Sequence, residues 1–236
     1  MSCDANGEKM AVCPIEEGLT SALTEQLHIS PILAQILANR GIADVEEGRH
    51  FLRDTLTDMA DPFLMDGMET AVRRLKQAVE DKERIVIYGD YDVDGITSTS
   101  LVYSVLRDLG ASPKFYIPER QSEGYGLNEE ALQHLEHEAD VLITVDCGIS
   151  SYELVREFSP RLDIIITDHH EPPEAIPPAL AVLNPKKPGC PYPFKELAGA
   201  GVAYVLCRAL WQRCCDEDLA GYSDLSALGT IATWCP

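Results

Sequence analysis

Three aspartates in one short stretch are the residues of this sequence with the clearest capacity for chemistry. Asp90, Asp92 and Asp94 are spaced by two, and Gly95 closes the run. Because alternate side chains of an extended segment point the same way, this spacing predicts three carboxylates that converge on one spot. Such like charges are costly unless a cation lies among them, and hard oxygen donors favour Mg²⁺ or Mn²⁺. The alternative interpretation is a solvated acidic turn.

Acids and histidines also follow two later apolar runs. Asp146 comes directly after 141–145, and Asp168, His169 and His170 come shortly after 164–166. Imidazole binds Mn²⁺ and transfers protons near neutral pH. Taken alone, Asp146 is as well explained as a helix cap, and the histidine pair as structural residues. Taken together, the three groups favour a two-metal hydrolase.

The elements that must position these side chains alternate between strands and helices. This alternation predicts an α/β fold, with a mostly parallel sheet and helices on both faces. Right-handed crossovers then bring the carboxyl ends of the strands, and with them the acids and histidines, to one edge of the sheet. The predicted strands are 85–88, 114–117, 141–145, 164–166 and 180–183, and the predicted helices are 97–109, 128–137 and 151–158.

A helical segment is predicted before the first strand. Ser30 and Pro31 form a favourable start for a helix that stops at Gly41, and Asp44 caps the next helix. A third helix is predicted from Met68 to Val79. The predicted organisation is a disordered stretch over 1–20, the helical segment over 21–82, the α/β domain over 83–232 and an aberrant tail over 233–236.

Composition excludes several classes of protein. Among 236 residues, Lys+Arg 19 against Asp+Glu 39 gives a net charge of −20, which argues against a free-standing nucleic-acid binder. The first residues contain no apolar signal-peptide core, and the nearly apolar stretch 197–207 is too short to cross a bilayer. The eight cysteines include no C-x-x-C pair, so we expect a cytoplasmic protein with reduced thiols, without a membrane segment or a cysteine zinc site.

Several motifs together resemble those of the DHH phosphoesterase superfamily. They are Tyr-Gly-Asp-Tyr-Asp-Val-Asp-Gly-Ile-Thr at 88–97, Val-Asp-Cys-Gly-Ile-Ser at 145–150 and Thr-Asp-His-His at 167–170. Within the superfamily the sequence is similar to the RecJ branch of single-strand-specific exonucleases. That similarity is carried by Pro-Glu-Arg-Gln-Ser-Glu-Gly-Tyr-Gly-Leu at 118–127, and by Leu-Asn-Pro-Lys at 183–186 with Gly-Ala-Gly-Val-Ala at 199–203. The similarity runs from about Ile29 to Ala232.

The resemblance implies a two-metal site for Mn²⁺ or Mg²⁺. Asp92 resembles a ligand of one metal and Asp94 a ligand of the other. Asp146 is similar to the carboxylate that bridges them, and His169 to a second ligand of the second metal. Asp90 is expected near the metals. These five side chains are therefore the predicted metal-binding residues.

The resemblance also implies residues that act on the substrate. His170 resembles the residue that faces the scissile phosphate, and Asp168 the residue that orients both histidines and sets their tautomers. The candidate substrate contacts are Arg120, Gly124, Gly126, Gly199 and Gly201. For the first three, a structural β-turn is the alternative. For the two glycines at 199 and 201, amides presented to a phosphate compete with close helix packing.

The implied activity is metal-dependent phosphodiester hydrolysis of single-stranded DNA from the 5′ end, in DNA repair and recombination. Single-stranded DNA and repair or replication proteins are the implied partners. One alternative is a phosphodiesterase for short oligonucleotides or cyclic dinucleotides, which the stretch 123–127 disfavours. The other is a non-catalytic replication partner, which the retained metal-ligand candidates disfavour.

The sequence departs from the family pattern at two positions. Tyr88 stands where some members have His, and Thr233 stands where members have an Asp that completes the second metal site. We therefore expect weak or no activity from this chain. The final Thr-Trp-Cys-Pro requires codons ACN-TGG-TGY-CCN, and one G before them gives GAC-NTG-GTG-YCC, which begins with Asp and resembles the family's Asp-Val-Val-Pro. This predicts a longer exonuclease truncated by a one-base deletion or sequencing error.

Overall fold

The computed structural model describes residues 17–53, 59–119, 126–219 and 221–233. The chain divides between Met59 and Ala60 into two compact units. No helix within these four ranges is long and apolar enough to span a membrane.

The described part of the first unit, residues 17–53 and 59, contains three helices: α1 over Glu17–Leu27, α2 over Pro31–Asn39 and α3 over Val45–Arg53. Helix α1 begins at Glu17, so residues 17–20 of the stretch predicted as disordered are helical. Residues 1–16 lie outside the described residues. The helices share a small apolar core of Leu23, Leu27, Ala34, Leu37 and Ile42.

Side-chain caps begin α2 and α3, as the sequence predicts. The Ser30 hydroxyl accepts a hydrogen bond from the Leu33 amide at 3.2 Å, and Pro31 occupies the first helical position. The Asp44 carboxylate accepts one from the Glu47 amide at 2.8 Å. Each cap satisfies an amide that has no partner inside its own helix, and this is why both helices start where they do.

The second unit contains an all-parallel sheet of five strands, in the order β2-β1-β3-β4-β5, which confirms the predicted α/β fold. Its elements in chain order are a 3-10 helix over Pro62–Leu64, α4 over Met68–Glu80, β1 over Ile85–Tyr88, α5 over Val93–Asp108, β2 over Lys114–Tyr116, α6 over Glu129–Glu138, β3 over Val141–Val145, α7 over Tyr152–Phe158, β4 over Asp163–Thr167, β5 over Ala181–Leu183, α8 over Gly199–Cys215 and α9 over Ser223–Ala232.

Helices cover both faces of the sheet. Alternate side chains of a strand point to opposite faces, so Val86 and Ile164 lie in the core formed with α6 and α7. Helices α5 and α8 contact the sheet at β1, β3 and β4, and α4 contacts β5 and α8. Strands β1 and β3 are buried along their whole length, which explains their continuous apolar runs.

Helix α4, which the sequence interpretation groups with the N-terminal segment, packs in the second unit. Its Arg74 donates to Asp163 at the start of β4 at 2.6 Å and to Glu83 at 2.5 Å. Burial disfavours the charged form of Arg74 and lowers its pKa, but the two carboxylates favour the charged form more strongly. The pKa of Arg74 is therefore raised. Arg74 therefore joins α4 to the amino-end edge of the sheet.

The strands are in register at their carboxyl ends. Tyr88 pairs with Thr144, and Thr167 pairs with both Val145 and Leu183. The residues that follow β3, β4 and β5 are consequently neighbours on one edge, as predicted. We call this edge the rim. It carries Asp90, Asp92, Asp146, Asp168, His169, His170 and Asn184.

Candidate active site

Two groups of possible metal ligands meet at the rim. Ligand atoms of Asp90, Asp92 and Asp146 lie within 4.8 Å of one another, and so do those of Asp146, His169 and His170. Asp146 belongs to both groups, so its carboxylate lies between an all-oxygen set and a set with two imidazoles. The first set suits a hard divalent cation, and the second suits a cation that accepts nitrogen, such as Mn²⁺.

Asp92 begins helix α5 earlier than the sequence predicts. Its carboxylate accepts a hydrogen bond from the Gly95 amide at 2.9 Å, so the helix starts at Val93 and not at Thr97. The predicted extended run through Asp94 is therefore wrong, because capping by Asp92 turns the chain into a helix immediately. Asp90 and Asp92 precede the helix, whereas Asp94 lies in its first turn.

Asp94 points to the amino end of helix α8. One of its oxygens accepts from the Gly199 amide at 2.8 Å and the other from the Ala200 amide at 2.6 Å. The residue before the helix is Ala198, which has no polar side chain to cap it. Asp94, 1% exposed, supplies that cap from α5, and its negative charge suits the positive end of the α8 dipole. Its Oδ2 also lies 3.7 Å from Nε2 of His169.

Gly199 is packed against the rim. A Cβ at this position would lie 2.5 Å from Oδ1 and 2.8 Å from Cβ of Asp146, and its amide is engaged by Asp94. At Gly201 a Cβ would lie 3.0 Å from the Leu197 side chain. These contacts support close helix packing, which was the alternative to amides presented to a substrate phosphate.

Gly199→Ala is expected to displace Asp146 or the start of α8, because a methyl group does not fit 2.5 Å from a carboxylate oxygen. Overpacking of this kind costs about 1–3 kcal/mol, so we expect a lower melting temperature together with weaker Mn²⁺ binding. Thermal unfolding by circular dichroism and calorimetric titration measure the two effects. Gly18→Ala in α1 is the matched control, since a Cβ there meets no described atom within 4 Å. Equal effects from both variants would contradict this packing.

Asp168 holds the two histidines in place. Its Oδ1 accepts from the backbone amides of His169 at 2.7 Å and His170 at 3.0 Å, and lies 2.7 Å from Nδ1 of His170. Its Oδ2 accepts from the Ile149 amide at 2.9 Å. Burial opposes ionisation of Asp168, but these hydrogen bonds outweigh it and keep its pKa below the usual value. The hydrogen bond to Asp168 also raises the pKa of His170.

Ionisation of the Asp146 carboxyl group is unfavourable at this position in the rim. It is 2% exposed, and its φ of 60° lies in the left-handed region. Burial, followed by the charges of Asp94 and Asp92, raises its pKa to about 9. Its Oδ1 lies 3.2 Å from Nε2 of His169, yet it accepts no hydrogen bond of good geometry from any described residue. An ionised carboxylate in this position needs a cation, so the residues present fit a divalent metal.

The remaining predicted site residues fall into two sets. Arg120 and Gly124 lie outside the described residues. Gly126 accepts a hydrogen bond through its carbonyl from the buried Tyr88 hydroxyl at 2.9 Å, and that hydroxyl accepts one from Asn128 at 3.1 Å. The hydrogen bond from Tyr88 thus links the backbone at Gly126 to the end of β1.

The C-terminal tail is described only at its first residue. Thr233 follows the last residue of α9, and the rest of the predicted tail lies outside the described residues.

Sequence reasoning missed one residue of the rim and one role. Asn184 is fully buried directly after β5, and its side-chain amide donates to the His170 carbonyl at 2.9 Å. Its place after a predicted strand, at the same edge as Asp146 and Asp168, is the signal that could have identified it. The capping of α8 by Asp94 left no local signal, because the two partners are 105 residues apart.

A known protein family and several of its members match this chain. The family model described as "DHH family, N-terminal domain" matches residues 84–230. The single-stranded-DNA-specific exonuclease RecJ of Bacillus subtilis (strain 168) is 47% identical over 225 residues, which cover 94% of this chain but 28% of the relative.

Two solved structures have the same fold. The crystal structure of RecJ in complex with Mn²⁺ from Thermus thermophilus matches with a TM-score of 0.76 and 31% identity, covering 93% of this chain and 31% of that one. The crystal structure of exonuclease RecJ bound to manganese matches with a TM-score of 0.68 and 38% identity, covering 73% of this chain and 44% of that one. The chain spans less than half the length of each of these relatives. Since the family model covers more than half of its residues, this chain belongs to the DHH family.

Proposed function

We propose that this chain carries the metal centre of a RecJ-type exonuclease, which hydrolyses phosphodiester bonds of single-stranded DNA from the 5′ end. The observation that supports the proposal most strongly is the pair of ligand groups that share Asp146 at the rim. The relatives with this fold include RecJ structures that contain manganese. A shared carboxylate between two ligand sets is the arrangement that a two-metal hydrolase requires.

The proposed metal ligands differ from those implied by the resemblance at two residues: Asp94 is left out, and His170, expected to face the scissile phosphate, is included. Asp90, Asp92 and Asp146 would hold one metal, and Asp146, His169 and His170 the other. Asp94 was expected as a ligand of the second metal, but both of its oxygens accept hydrogen bonds from α8. We assign it to holding α8 against the rim. When bound, two such metals activate a water and stabilise the leaving oxygen.

The protein's own residues orient the centre. Asp168 accepts the hydrogen bond of Nδ1 of His170, so in the neutral imidazole the lone pair is on Nε2. The same carboxylate binds the amides of His169 and His170, and this limits the movement of both side chains. His170 is about half-exposed, which lets its ring face a phosphate, whereas His169 is mostly buried beside Asp146.

The substrate and partners follow from the relatives. The Bacillus subtilis relative is specific for single-stranded DNA by name, and we propose the same substrate here, with DNA repair or replication proteins as partners. The net charge of −20 is unfavourable for tight DNA binding by this chain alone. Phosphodiesterase activity on short oligonucleotides or cyclic dinucleotides, and a non-catalytic role at the replication fork, are the rival functions.

Mn²⁺ titration of the chain and of Thr233→Asp tests the metal centre. The chain is expected to bind one Mn²⁺ well and a second weakly, because the family's Asp is replaced by Thr233. Helix α9 reaches the site one turn before this residue: a Cβ at Gly229 would lie 3.1 Å from Oδ1 of Asp94, and the Thr233 amide donates to the Gly229 carbonyl. Thr233→Asp should tighten the second site more than about tenfold, because even residues that only support a ligand contribute 10–100-fold. Thr233→Asn is the uncharged control.

Hydrolysis of a 5′-labelled single strand tests the activity. We expect little or no digestion by the chain and a measurable gain in Thr233→Asp. Two equally tight Mn²⁺ sites in the unmodified chain, or no site, would contradict the ligand assignment. Turnover of a cyclic dinucleotide by Thr233→Asp, without digestion of a long strand, would favour the phosphodiesterase alternative. Metal binding at both sites of Thr233→Asp without any hydrolysis would favour the non-catalytic role.

A further inference from the structure

Asn184 connects the ends of two neighbouring strands. It directly follows Leu183, the last residue of β5, whose carbonyl accepts a hydrogen bond from the Asp168 amide at 3.0 Å. The Asn184 side chain is 0% exposed. Its Nδ2 donates to the carbonyl of His170 at 2.9 Å, and its Oδ1 accepts from the amide of Lys186 at 2.8 Å. One buried side chain thus satisfies two backbone groups on different segments of the rim.

These contacts complete the support of His170. Asp168 binds the backbone amide and the imidazole Nδ1 of His170 by hydrogen bonds. Neither of these bonds involves the carbonyl group of His170. Asn184 binds that carbonyl from β5. The peptide on each side of His170 is therefore attached to a buried side chain, and rotation of the backbone at this residue would break at least one of these bonds.

We propose that Asn184 is a positioning residue that fixes His170 for metal and phosphate binding. This inference rests on the proposed metal centre, in which the group Asp146, His169 and His170 binds one ion. A buried asparagine is also compatible with a purely structural role, in which it only satisfies backbone groups. The two roles predict different results when the hydrogen bond to His170 is lost. Only the positioning role predicts that the contact between an imidazole and the metal then changes.

Asn184→Asp is the informative variant because it has the same shape. Its carboxylate still accepts from the Lys186 amide, but it offers no amide donor to the His170 carbonyl. Tyr204→Phe is the matched control. It also removes a buried hydrogen bond from a side chain to a backbone carbonyl, that of Tyr204 to Leu219 at 3.2 Å, in helix α8 and the segment after it. Asn184→Ala, which loses both bonds, serves as the stronger variant.

Electron spin-echo measurements on bound Mn²⁺ detect imidazole nitrogen and provide the readout, alongside calorimetric Mn²⁺ affinity. We expect the nitrogen signal per bound Mn²⁺ to fall in Asn184→Asp and to persist in Tyr204→Phe. Affinity at the weaker site should fall roughly 10–100-fold in the first variant only, the usual effect of removing a residue that supports a ligand. Normalising the signal to bound metal separates this effect from any general loss of folded protein.

The possible results separate the two proposals. A nitrogen signal in the unmodified chain that is unchanged in both Asn184 variants would overturn the positioning role and leave the metal centre intact. An equal reduction of the nitrogen signal in Asn184→Asp and Tyr204→Phe would also overturn it. The reduction would then be explained by general destabilisation of the fold. Absence of imidazole nitrogen from Mn²⁺ in the unmodified chain would overturn the histidine-containing metal site, and this inference with it.

Discussion

Asp146→Asn is expected to raise the melting temperature of the metal-free chain and to abolish binding at both metal sites. The asparagine has the same shape and is neutral at every pH, so it avoids the cost of protonating a carboxylate whose ionisation is opposed by burial, Asp94 and Asp92. Each kcal/mol of avoided cost corresponds to about 2–4 °C in a protein of this size. Because Asp146 is the residue common to both ligand groups, its loss should affect both sites at once. Calorimetric titration and thermal unfolding measure the two opposite changes.

The stability of the metal-free chain should also depend on pH through Asp146. Its folded pKa of about 9 lies above the ordinary aspartate value of 3.8, so the folded chain retains a proton that the unfolded chain releases. Stability is then greatest at the acid end of this window and falls as the pH rises from about 4 to 9. His170 acts in the same direction, since its pKa is raised too. Asp146→Asn should flatten this dependence.

The control for Asp146→Asn is a carboxylate with the opposite shift. Hydrogen bonds from the Arg84 side chain and backbone lower the pKa of Asp140 to about 2, so Asp140→Asn should reduce stability at neutral pH. In saturating Mn²⁺ the unmodified chain should have a higher melting temperature than Asp146→Asn, the reverse of the order without metal. Only the unmodified chain is then stabilised by metal binding. A lower melting temperature for metal-free Asp146→Asn would contradict the assigned cost of the buried charge.

Asp94→Ala is expected to be the most destabilising single replacement in and around the rim. It removes two charge-assisted hydrogen bonds and leaves the Gly199 and Ala200 amides buried without an acceptor. Hydrogen bonds to charged groups contribute about 1.5–3 kcal/mol each, so a combined loss of about 3–6 kcal/mol is expected. Chemical denaturation followed by circular dichroism measures this loss.

Asp92→Ala is the matched comparison for Asp94→Ala. Asp92 caps its own helix by accepting one hydrogen bond, from the Gly95 amide, and lies exposed at the rim. Loss of a helix cap of this kind typically costs about 1 kcal/mol. Both variants should weaken Mn²⁺ binding, but only Asp94→Ala should cause a large loss of stability. Similar stabilities for the two variants would show that Asp94 does not stabilise the amino end of α8.

Much of the fold could be predicted because its signals are local. The apolar runs of β1 and β3, the caps at Ser30 and Asn128, and the alternation of strands and helices each depend on a few adjacent residues. Parallel connectivity then requires the residues after β3 and β4 to share an edge. The gathering of Asp146 and the two histidines at the rim therefore followed from sequence pattern alone.

The missed features depend on contacts between distant segments. Three aspartates at even spacing suggested one convergent set, but the Asp92 cap starts a helix and turns Asp94 away from Asp90. The position of Asn184 after a predicted strand placed it at the rim, but its hydrogen bond to His170 could not be predicted, because the two residues lie on different strand connections. For Gly199 the sequence left phosphate binding and close helix packing open, and the position that a Cβ would take is filled by Asp146. Such contacts have no periodicity that a sequence reading can use.

The bond between Asp94 and α8 has a consequence for how the protein folds. It closes a loop of 105 residues, so the entropy of bringing its ends together is lost before the two hydrogen bonds form. Contacts of such long sequence separation slow the search for the native state. Because Gly199 also borders Asp146, the proposed metal-binding carboxylate reaches its final surroundings only when this loop has closed. Metal affinity should therefore develop late in folding, and Mn²⁺ would bind molecules that have completed the fold in preference to partly folded ones.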